Sequence, residues 1–174
     1  MLKETDNQEK LVWYASYGSN MMYARFLCYI QGGTFYANKK PYNGCKKDQT
    51  PPVSSKAIII PYEMYFGNKS SSWINKNGEK AGVAFLDTSK RAITLGRMYL
   101  IKESQFLEIW EQESNSPEWY HDVISLGEYE GYPVKTFTNL KRRVENSPTE
   151  EYLDVMKKGI EEMIGDVVVL RNVD

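Results

Sequence analysis

Short apolar runs, separated by residues that form turns, follow one another along this chain. The apolar run at 11–16 predicts a buried strand, and so does the run at 57–60. The alternating segments 121–126 and 132–138 flank the Gly-rich stretch 127–131 and predict a hairpin with a loop of several residues. By the same criteria we predict further strands at 62–66, 81–86, 97–101 and 167–170, with a turn region between the strands at 81–86 and 97–101.

Three helices are predicted from apolar residues that recur on one face. The first covers 21–30, where Met22, Phe26 and Tyr29 or Ile30 share that face, and the second covers 104–113. The third begins at Ser-Pro-Thr-Glu, 147–150, which is a capping box with proline at the first helical position. We expect its end at Gly165, with apolar residues at 152, 155, 156, 159, 160 and 163 on one face.

Two polar segments predict long loops. Residues 32–55 are rich in Gly, Lys, Asn and Pro, with room for one short strand at 34–37. A loop of this length is either functional, as a lid or rim over a pocket, or a floppy insertion. Residues 68–80 form the second loop, and it contains Trp73, which then lies over the core or in a pocket wall.

The arrangement of these elements predicts one α+β domain. Strands predominate, a few helices close the fold, and no internal repeat or domain linker is visible. A chain of 174 residues buries roughly 70% of its unfolded surface in one core. We predict a frayed polar tail at 1–10 and a single domain from 11 to 174 that carries the long insertion loop at 32–55.

The charge balance excludes some classes of partner. The formal charge is −1, from 22 basic and 23 acidic residues, so we expect neither nucleic acid nor an anionic membrane as a partner. No apolar run approaches the ~20 residues that span a bilayer. The polar N-terminus does not resemble a secretory signal, which favours the cytoplasm. Monomer and homodimer are equally compatible with the sequence.

Several kinds of catalytic chemistry lack the residues that they need. His121 is the one histidine and lies in a predicted strand, so metal sites built on histidine and Cys–His or Ser–His pairs are disfavoured. Cys28 and Cys45 lack the spacing of a zinc site or a disulfide framework. No dinucleotide or phosphate loop motif occurs. Oxidoreductase and nucleotide hydrolase functions therefore have no support in the sequence.

The stretch from Tyr14 to Met21 is the first candidate site. It follows an apolar strand and precedes a helical segment, and its small residues Gly18 and Ser19 leave backbone N–H groups approachable. Such a loop suits a substrate carboxylate or another anion. The plainer interpretation is a strand-to-helix turn in which Ser19 or Asn20 caps the helix.

Carboxylates are the second candidate. Glu108, Glu111 and Glu113 cluster near the end of the second predicted helix, and each of them can simply be a solvated surface acid. Glu113 differs because a tight exit follows it, with Trp119 and Tyr120 close in sequence. Among aromatic side chains its pKa would rise toward neutrality, where a carboxyl group can take and give a proton.

Five stretches together resemble the γ-glutamylcyclotransferase-like family, which includes the BtrG-like and AIG2-like proteins. The Tyr-Gly-Ser-Asn sequence at 17–20 is similar to the signature of that family. The other four stretches occur in the family's order: Phe-Gly-Asn at 66–68 with Trp73, Ala-Gly-Val-Ala-Phe at 81–85, Glu-Gln-Glu at 111–113 with Tyr120, and Ser-Pro at 147–148 with Tyr152. The resemblance runs from about 11 to 163.

This resemblance implies a fold and a reaction. The fold is a small mixed β-barrel with flanking helices, and the reaction turns a γ-glutamyl amine or peptide into 5-oxoproline and a free amine without a cofactor. It implies Glu113 as general acid and base. It also implies a substrate-binding set of Tyr14, Ala15, Ser16, Tyr17, Gly18, Ser19, Asn20, Tyr120 and Tyr152, in which the backbone N–H groups of residues 17–19 hold substrate oxygens.

Two departures from the family leave the substrate open. The loop at 32–55 is enlarged, and Thr136 stands near a position where the family often has a hydroxylated aromatic residue. A non-catalytic binding module that keeps the same pocket is the main alternative. A protein-interaction role for the 32–55 loop is another.

Overall fold

The computed structural model describes residues 9–113, 116–163 and 167–170. These residues form eight strands, three α-helices and one 3₁₀ turn. In chain order they are β1 (Leu11–Ser16), the 3₁₀ turn (Ser19–Met21), α1 (Tyr23–Gln31), β2 (Gly33–Thr34), β3 (Pro41–Tyr42), β4 (Ser54–Ile74), β5 (Lys80–Lys102), α2 (Glu103–Gln112), β6 (Asp122–Tyr129), β7 (Tyr132–Thr138), α3 (Glu150–Glu161) and β8 (Val167–Val169).

Six of the strands form one mixed sheet in the order β6-β7-β1-β5-β4-β8. The pairs β1–β7 and β4–β8 are parallel, whereas the other neighbours are antiparallel. The sheet is a half-barrel with helices packed on it, so the predicted α+β class is confirmed. The predicted strand at 167–170 corresponds to β8, which extends the sheet beside β4.

Strand β1 is apolar from Leu11 to Ala15 because both of its faces are covered. Side chains alternate along a strand, and here Trp13 and Ala15 belong to one buried cluster while Val12 and Tyr14 belong to another. The second cluster contains the apolar sides of α1 and α2, and α3 contributes to the first. The predicted strand at 11–16 is therefore confirmed and lies in the middle of the fold.

Strands β4 and β5 form one long hairpin, where we predicted four short strands and a polar loop. The predicted turn region is partly a bulge: Tyr62 pairs with Arg91 and Glu63 with Asp87, which leaves residues 88–90 of β5 without opposite partners. The predicted loop at 68–80 was wrong over 68–74, where β4 continues to Ile74. The polar residues of this segment predicted a loop, but they belong to a strand that has one face exposed to solvent.

The hairpin of β6 and β7 has a tighter turn than predicted. Tyr129 pairs with Tyr132, so only Glu130 and Gly131 connect the strands. Both connecting residues have positive φ, 51° and 84°, as a two-residue hairpin turn of the favoured kind requires. Gly127 is not in the turn but at a register shift within β6.

Two helix starts differ from the predictions. Helix α1 begins at Tyr23, after the 3₁₀ turn, and neither Ser19 nor Asn20 caps it through its side chain. Helix α3 begins at Glu150, and its N-cap is Thr149, whose hydroxyl accepts a hydrogen bond from the Tyr152 N–H at 3.0 Å. Pro148 therefore precedes the cap and is not the first helical residue. Gly165, the predicted end of α3, lies outside the described residues.

The segment 32–55 packs against the domain. A short antiparallel pair, β2 with β3, stands where one strand at 34–37 was predicted. Phe35 and Cys45 are buried, and the Cys45 N–H donates to the Ile30 carbonyl at 2.9 Å. The segment therefore contributes side chains to the core beside α1.

The predicted tail lies mostly outside the described residues. Of its ten residues only Glu9 and Lys10 are described, and both contact α2: Ser104 N–H donates to the Glu9 carboxylate, and Glu103 N–H to the Lys10 carbonyl. Within the described ranges, none of the helices combines the length and apolar character that a membrane span requires.

Candidate active site

The Tyr-Gly-Ser-Asn loop leaves the end of β1 at the centre of the sheet. Its residues Tyr17, Ser19 and Asn20 are all buried. The Tyr17 hydroxyl donates to the Phe137 carbonyl at 2.6 Å, which ties the loop to β7. The Tyr99 hydroxyl donates to the Asn20 carbonyl at 2.7 Å, which ties it to β5. The loop is therefore fixed by two strands before any ligand arrives.

Gly18 is required for close packing. Its φ is −116°, which other residues also adopt. A Cβ atom at this position would lie 2.6 Å from the Tyr152 hydroxyl oxygen and 3.1 Å from the Ala84 Cβ. The loop therefore touches α3 and β5 directly, and a side chain at residue 18 would separate them.

Glu113 is the residue that ends α2 and turns into the same region. It is the C-cap of that helix, and its Oε1 accepts a hydrogen bond from the Asn20 Nδ2 at 2.7 Å. The other hydrogen-bond partner of that amide is the Tyr14 hydroxyl at 3.3 Å. A carboxylate 93 residues further along the chain is thus held by the last residue of the Tyr-Gly-Ser-Asn sequence.

The pKa of Glu113 is raised above its ordinary value of 4.5. Burial of the carboxyl group is the main cause, and the charge of Arg25 and hydrogen bonds from Asn20 and Tyr29 partly offset it. The surrounding tyrosines Tyr14, Tyr17 and Tyr120 have pKa values raised well above 10.0, chiefly by burial. They are therefore neutral hydrogen-bonding groups around one carboxyl group whose pKa is raised.

A small cavity joins the loop to Glu113. Its walls include Tyr14, Ser16, Tyr17, Gly18, Ser19, Asn20, Glu113, Tyr120 and Tyr152, with Ala84, Thr136 and Phe137 completing them. The structure thus brings together nine of the ten residues that the sequence singled out. Ala15 is the exception: it is fully buried in the core, and its carbonyl accepts a hydrogen bond from the Thr136 hydroxyl at 2.6 Å.

Tyr120 and Tyr152 hold the cavity wall and do not hydrogen-bond Glu113 within the described ranges. The Tyr120 hydroxyl donates to the Ala84 carbonyl at 2.7 Å, and the Tyr152 hydroxyl accepts from the Ala84 N–H at 3.0 Å. Burial raises the pKa of Tyr152 to about 12. Two hydroxyl groups from different parts of the chain therefore fix one residue of β5 at the cavity.

A larger cavity adjoins the small one and shares Glu113, Ser19, Tyr120 and Tyr152 with it. It encloses about 720 Å³ of empty space, part of it open to solvent. Its remaining walls come from α1, the segment 32–55, β4, β5 and the residues around α2; they are Arg25, Tyr29, Lys40, Tyr42, Ser70, Ser71, Ser72, Trp73, Val83, Gln112 and Trp119. Glu113 thus stands where the two cavities meet.

Arg25 and Lys40 are the charged cavity residues that sequence reasoning missed. An arginine in a helix is normally solvated, but Arg25 is only 3% exposed. Its spacing carried a signal, since it lies three residues after Met22 and four before Tyr29, on the face that was predicted to be apolar. Lys40 carried none, because its contact with the cavity depends on how the segment 32–55 folds back.

Other candidate groups lie apart from the cavities. Glu111 is exposed, and the Glu108 carboxylate accepts hydrogen bonds from the N–H groups of Lys46 and Lys47. His121 is also exposed, and both cysteines are free and buried. Within the described ranges, no three His, Cys, Asp or Glu side chains are grouped as a metal ion would require.

A half-buried glutamate beside a strand-to-helix loop, on a half-barrel sheet, defines a small α+β domain with two adjoining cavities. No family model matches its sequence. Histone deacetylase 5 of Arabidopsis thaliana is 31% identical over 191 aligned positions, which cover 87% of this chain. The chain spans 28% of the length of that deacetylase.

The solved structures that are similar show what fold this is. A γ-glutamyl cyclotransferase has a TM-score of 0.60 and 17% identity, covering 89% of this chain and 81% of that chain. An uncharacterised protein from Homo sapiens has a TM-score of 0.62 and 18% identity, covering 90% and 82%. YkqA from Bacillus subtilis has a TM-score of 0.53 and 20% identity, covering 87% and 49%. The chain has the γ-glutamyl cyclotransferase-like fold, so the resemblance read from the sequence is confirmed for the fold.

Proposed function

We propose that this protein is a γ-glutamyl cyclotransferase-type enzyme that converts a γ-glutamyl amine or peptide into 5-oxoproline and a free amine. The observation that carries the proposal is Glu113. It is a half-buried carboxyl group whose pKa is raised by partial desolvation, and its Oε1 lies 2.7 Å from the Asn20 Nδ2 of the Tyr-Gly-Ser-Asn sequence. The fold shared with a γ-glutamyl cyclotransferase supports the same reaction.

The small cavity suits the γ-glutamyl group. The reaction requires the chain of the substrate to fold back so that its α-amine reaches its own γ-carbonyl, which is an effect of orientation. Backbone N–H groups of Tyr17, Gly18 and Ser19 are the proposed donors to substrate oxygens, including the oxygen on which charge develops. The loop that carries them is already fixed by Tyr17 and Tyr99, so little ordering is left for substrate binding.

Glu113 is the proposed carrier of protons. The α-ammonium nitrogen must lose a proton before it attacks the γ-carbon, and a second proton leaves it after the new C–N bond has formed. The departing nitrogen gains two protons as its bond to the γ-carbon breaks, so protons balance. A carboxyl group with a raised pKa can both accept and return them.

The test is release of 5-oxoproline, followed by mass spectrometry, from a panel of γ-glutamyl dipeptides and amines. Glu113→Gln keeps the size of the side chain and an acceptor for Asn20 but removes the base. We expect it to lower kcat by at least about 10²-fold, the lower range for loss of general acid–base catalysis. Glu111→Gln is the matched control, because Glu111 is on the same helix but exposed.

Wild-type turnover in the Glu113→Gln variant would disprove the role of this residue. Ligands that raise the melting temperature of the wild-type protein, with no 5-oxoproline formed from any of them, would instead identify a binding module. A role of the segment 32–55 in binding another protein would require that exposed substitutions there abolish partner binding while turnover persists.

A further inference from the structure

Residues 20–23 lead from the candidate active site into helix α1, and Tyr99 of β5 holds the start of this segment. The Tyr99 hydroxyl donates to the Asn20 carbonyl at 2.7 Å, and it also lies 3.2 Å from the Met21 carbonyl oxygen. Tyr99 is fully buried, and its ring stacks on Phe26 of α1 with 4.0 Å between the ring centres. The segment is therefore anchored to the central sheet at its first two carbonyl groups.

Arg97 is a second anchor on the same face of β5. Side chains two residues apart in a strand point to one face, and Arg97 reaches the 3₁₀ turn as Tyr99 does. Its Nη1 donates to the Met21 carbonyl at 3.0 Å, and its Nη2 donates to the Ser55 hydroxyl at 3.3 Å. Arginine is normally solvated, but Arg97 is only 9% exposed. Its guanidinium group is therefore held by β4 and itself holds the carbonyl group that follows Asn20.

Glu162 at the end of α3 completes this arrangement. Its Oε1 accepts a hydrogen bond from the Arg97 Nη1 at 3.0 Å and another from the Tyr23 N–H at 2.8 Å. Tyr23 is the first residue of α1, and the N-cap Met22 makes no side-chain hydrogen bond to that helix. Glu162 therefore satisfies from α3 an N–H group at the start of α1, where a negative charge is also stabilising.

The segment held in this way carries the partner of Glu113. The Asn20 Nδ2 donates to the Glu113 carboxylate at 2.7 Å. Because residues 20–23 are continuous in the chain, displacement of residues 21–23 would also move the Asn20 side chain. The hydrogen bond from Asn20 lowers the pKa of Glu113 against the effect of burial. A loosened segment would therefore leave Glu113 with a higher pKa.

We propose that Arg97 and Glu162 form a positioning pair: together they fix the backbone of residues 21–23 and so aim the Asn20 amide at the Glu113 carboxylate. In the described part of the chain, neither side chain belongs to the wall of either cavity. The pair therefore acts through Asn20 and not on a substrate. Its kinetic consequence rests on the proposed function, because it takes Glu113 as the carrier of protons, whereas the positioning itself can be measured without turnover.

The first experiment measures the pKa of Glu113 by carbon-13 NMR of its carboxyl group, with Glu113→Gln identifying the resonance. Arg97→Met and Glu162→Met each break the pair but remove charges of opposite sign. A through-space effect would therefore raise the pKa of Glu113 in the first variant and lower it in the second. Positioning predicts a rise in both variants, by at least about 0.5, because a hydrogen bond to a charged group is weakened.

Conservative variants separate the hydrogen bonds of the pair from its charges. Arg97→Lys keeps the charge and a donor for the Met21 carbonyl. Glu162→Gln loses the charge but keeps an acceptor for the Tyr23 N–H. Both are expected to restore most of the wild-type pKa of Glu113.

Arg142→Met is the matched control for loss of an arginine. Arg142 pairs with Asp87 and Glu145, and its replacement should leave the pKa of Glu113 unchanged. The titratable groups that line the cavities with Glu113 are Arg25, Lys40 and several tyrosines. None of them is replaced in any of these variants, so a change in the pKa of Glu113 reports on its position relative to Asn20.

The second experiment is the pH dependence of kcat/KM for 5-oxoproline release. The acidic limb of this profile reports the pKa of the essential base in the free enzyme. In both methionine variants we expect that limb to move to higher pH and kcat to fall by about tenfold or more, with a smaller change in KM. A merely structural role would lower the melting temperature and leave the limb where it is in wild type.

Each outcome decides between these explanations. A lowered pKa of Glu113 in Glu162→Met would overturn the inference, since the pair would then act only through its charges, and an unchanged pKa would overturn it as well. Glu162 is exposed at the end of α3, so this variant decides the matter even where Arg97→Met does not fold. If the wild-type protein forms no 5-oxoproline from any compound, the proposed function fails, while the NMR titration still tests the positioning.

Discussion

Burial at single residues sets the electrostatics of this site. Glu113 is desolvated, and Arg25 supplies the largest effect that opposes the rise in its pKa. Arg25 is itself enclosed by aromatic rings. Two opposite charges are thus held in one region of low polarity, and no direct hydrogen bond joins them among the described residues.

The raised pKa of Glu113 predicts how pH affects stability. The folded protein holds this proton more tightly than the unfolded chain does, so the contribution of Glu113 to stability is fully present below pH ~4.5 and is lost as pH rises through its folded pKa. The amide side chain that replaces the carboxyl group in the Glu113→Gln variant cannot ionise. We therefore expect the melting temperature of that variant, relative to wild type, to increase between pH 4 and pH 8.

Thermal unfolding of both proteins, followed by circular dichroism across that range, measures this difference. Glu111→Gln should show no comparable trend, because Glu111 is exposed. A difference in melting temperature that stays constant or shrinks with rising pH would contradict the raised pKa.

Gly18 predicts a steric coupling to Tyr152. In Gly18→Ala the new methyl group would lie 2.6 Å from the Tyr152 hydroxyl, and we expect a loss of roughly 1–3 kcal/mol in the free energy of unfolding, as for overpacking. Tyr152→Phe removes that hydroxyl but leaves the Ala84 N–H without its acceptor, a cost of about 1–3 kcal/mol. The double variant should lose less than the sum of the two, as urea unfolding would measure; strict additivity would exclude the contact.

Among the elements, the contact between α3 and the 3₁₀ turn holds the candidate site in shape. A Cβ atom on Gly159 would lie 2.5 Å from backbone atoms of Met21 and Met22. At Gly159, helix α3 therefore packs against the backbone of residues 21–22, with no side chain between them. These two residues directly follow the Tyr-Gly-Ser-Asn sequence. The same helix presents Tyr152 to Gly18, so it supports the loop at two points.

Gly159→Ala tests this packing. In an exposed helix the change would stabilise by about 0.5–1 kcal/mol, but here the methyl group meets backbone atoms that cannot turn aside. We expect a net destabilisation of roughly 1–3 kcal/mol, measured by urea unfolding. Lys157→Ala in the same helix is the control, since Lys157 is exposed and should change stability by no more than about 0.5 kcal/mol. A stabilised Gly159→Ala variant would show that the helix does not lie so close.

At the scale of the whole molecule, the central strands bring residues that are far apart in the chain together around the small cavity. Strand β1 pairs with both β5 and β7. The loop that follows β1 therefore lies beside Ala84 of β5 and beside Thr136 and Phe137 of β7. Glu113 lies at the end of helix α2 and Tyr152 lies in α3, and both line this cavity. The segment 32–55 closes the larger cavity from the side of α1 through Lys40 and Tyr42.

The thiols report whether the segment 32–55 opens independently of the rest. Cys45 is fully buried, and burial raises its pKa to about 12; burial also raises the pKa of Cys28. Because the thiolate is the reactive form, we expect neither cysteine of the native protein to react readily with iodoacetamide at pH 8. Both should react in urea, as mass spectrometry would show. Rapid native labelling of Cys45 alone would mean that this segment opens without global unfolding.

Much of the fold was accessible to sequence reasoning because burial leaves a periodic trace. The buried strand at 11–16 and the helix near Glu113 follow directly from apolar spacing. The long hairpin of β4 and β5 did not, because serines at 70–72 and charged residues at 90–91 are typical of loops. They are tolerated in strands here because the register shifts and the outer faces of the hairpin leave most of them near solvent, whereas Ser70 is buried in the wall of the larger cavity.

The sequence by itself determined the α+β class, the position of the Tyr-Gly-Ser-Asn loop and the choice of Glu113 as the carboxylate to examine, because these depend on local spacing and on residue chemistry. Only the tertiary structure decided that Asn20 holds Glu113, that Gly18 is needed for contact with Tyr152 and that Arg25 lies buried with unused donors at a second cavity. The physical reason is that these contacts join residues far apart in the chain. Desolvation and free hydrogen-bonding capacity depend on what surrounds a group in space, which local sequence patterns do not encode.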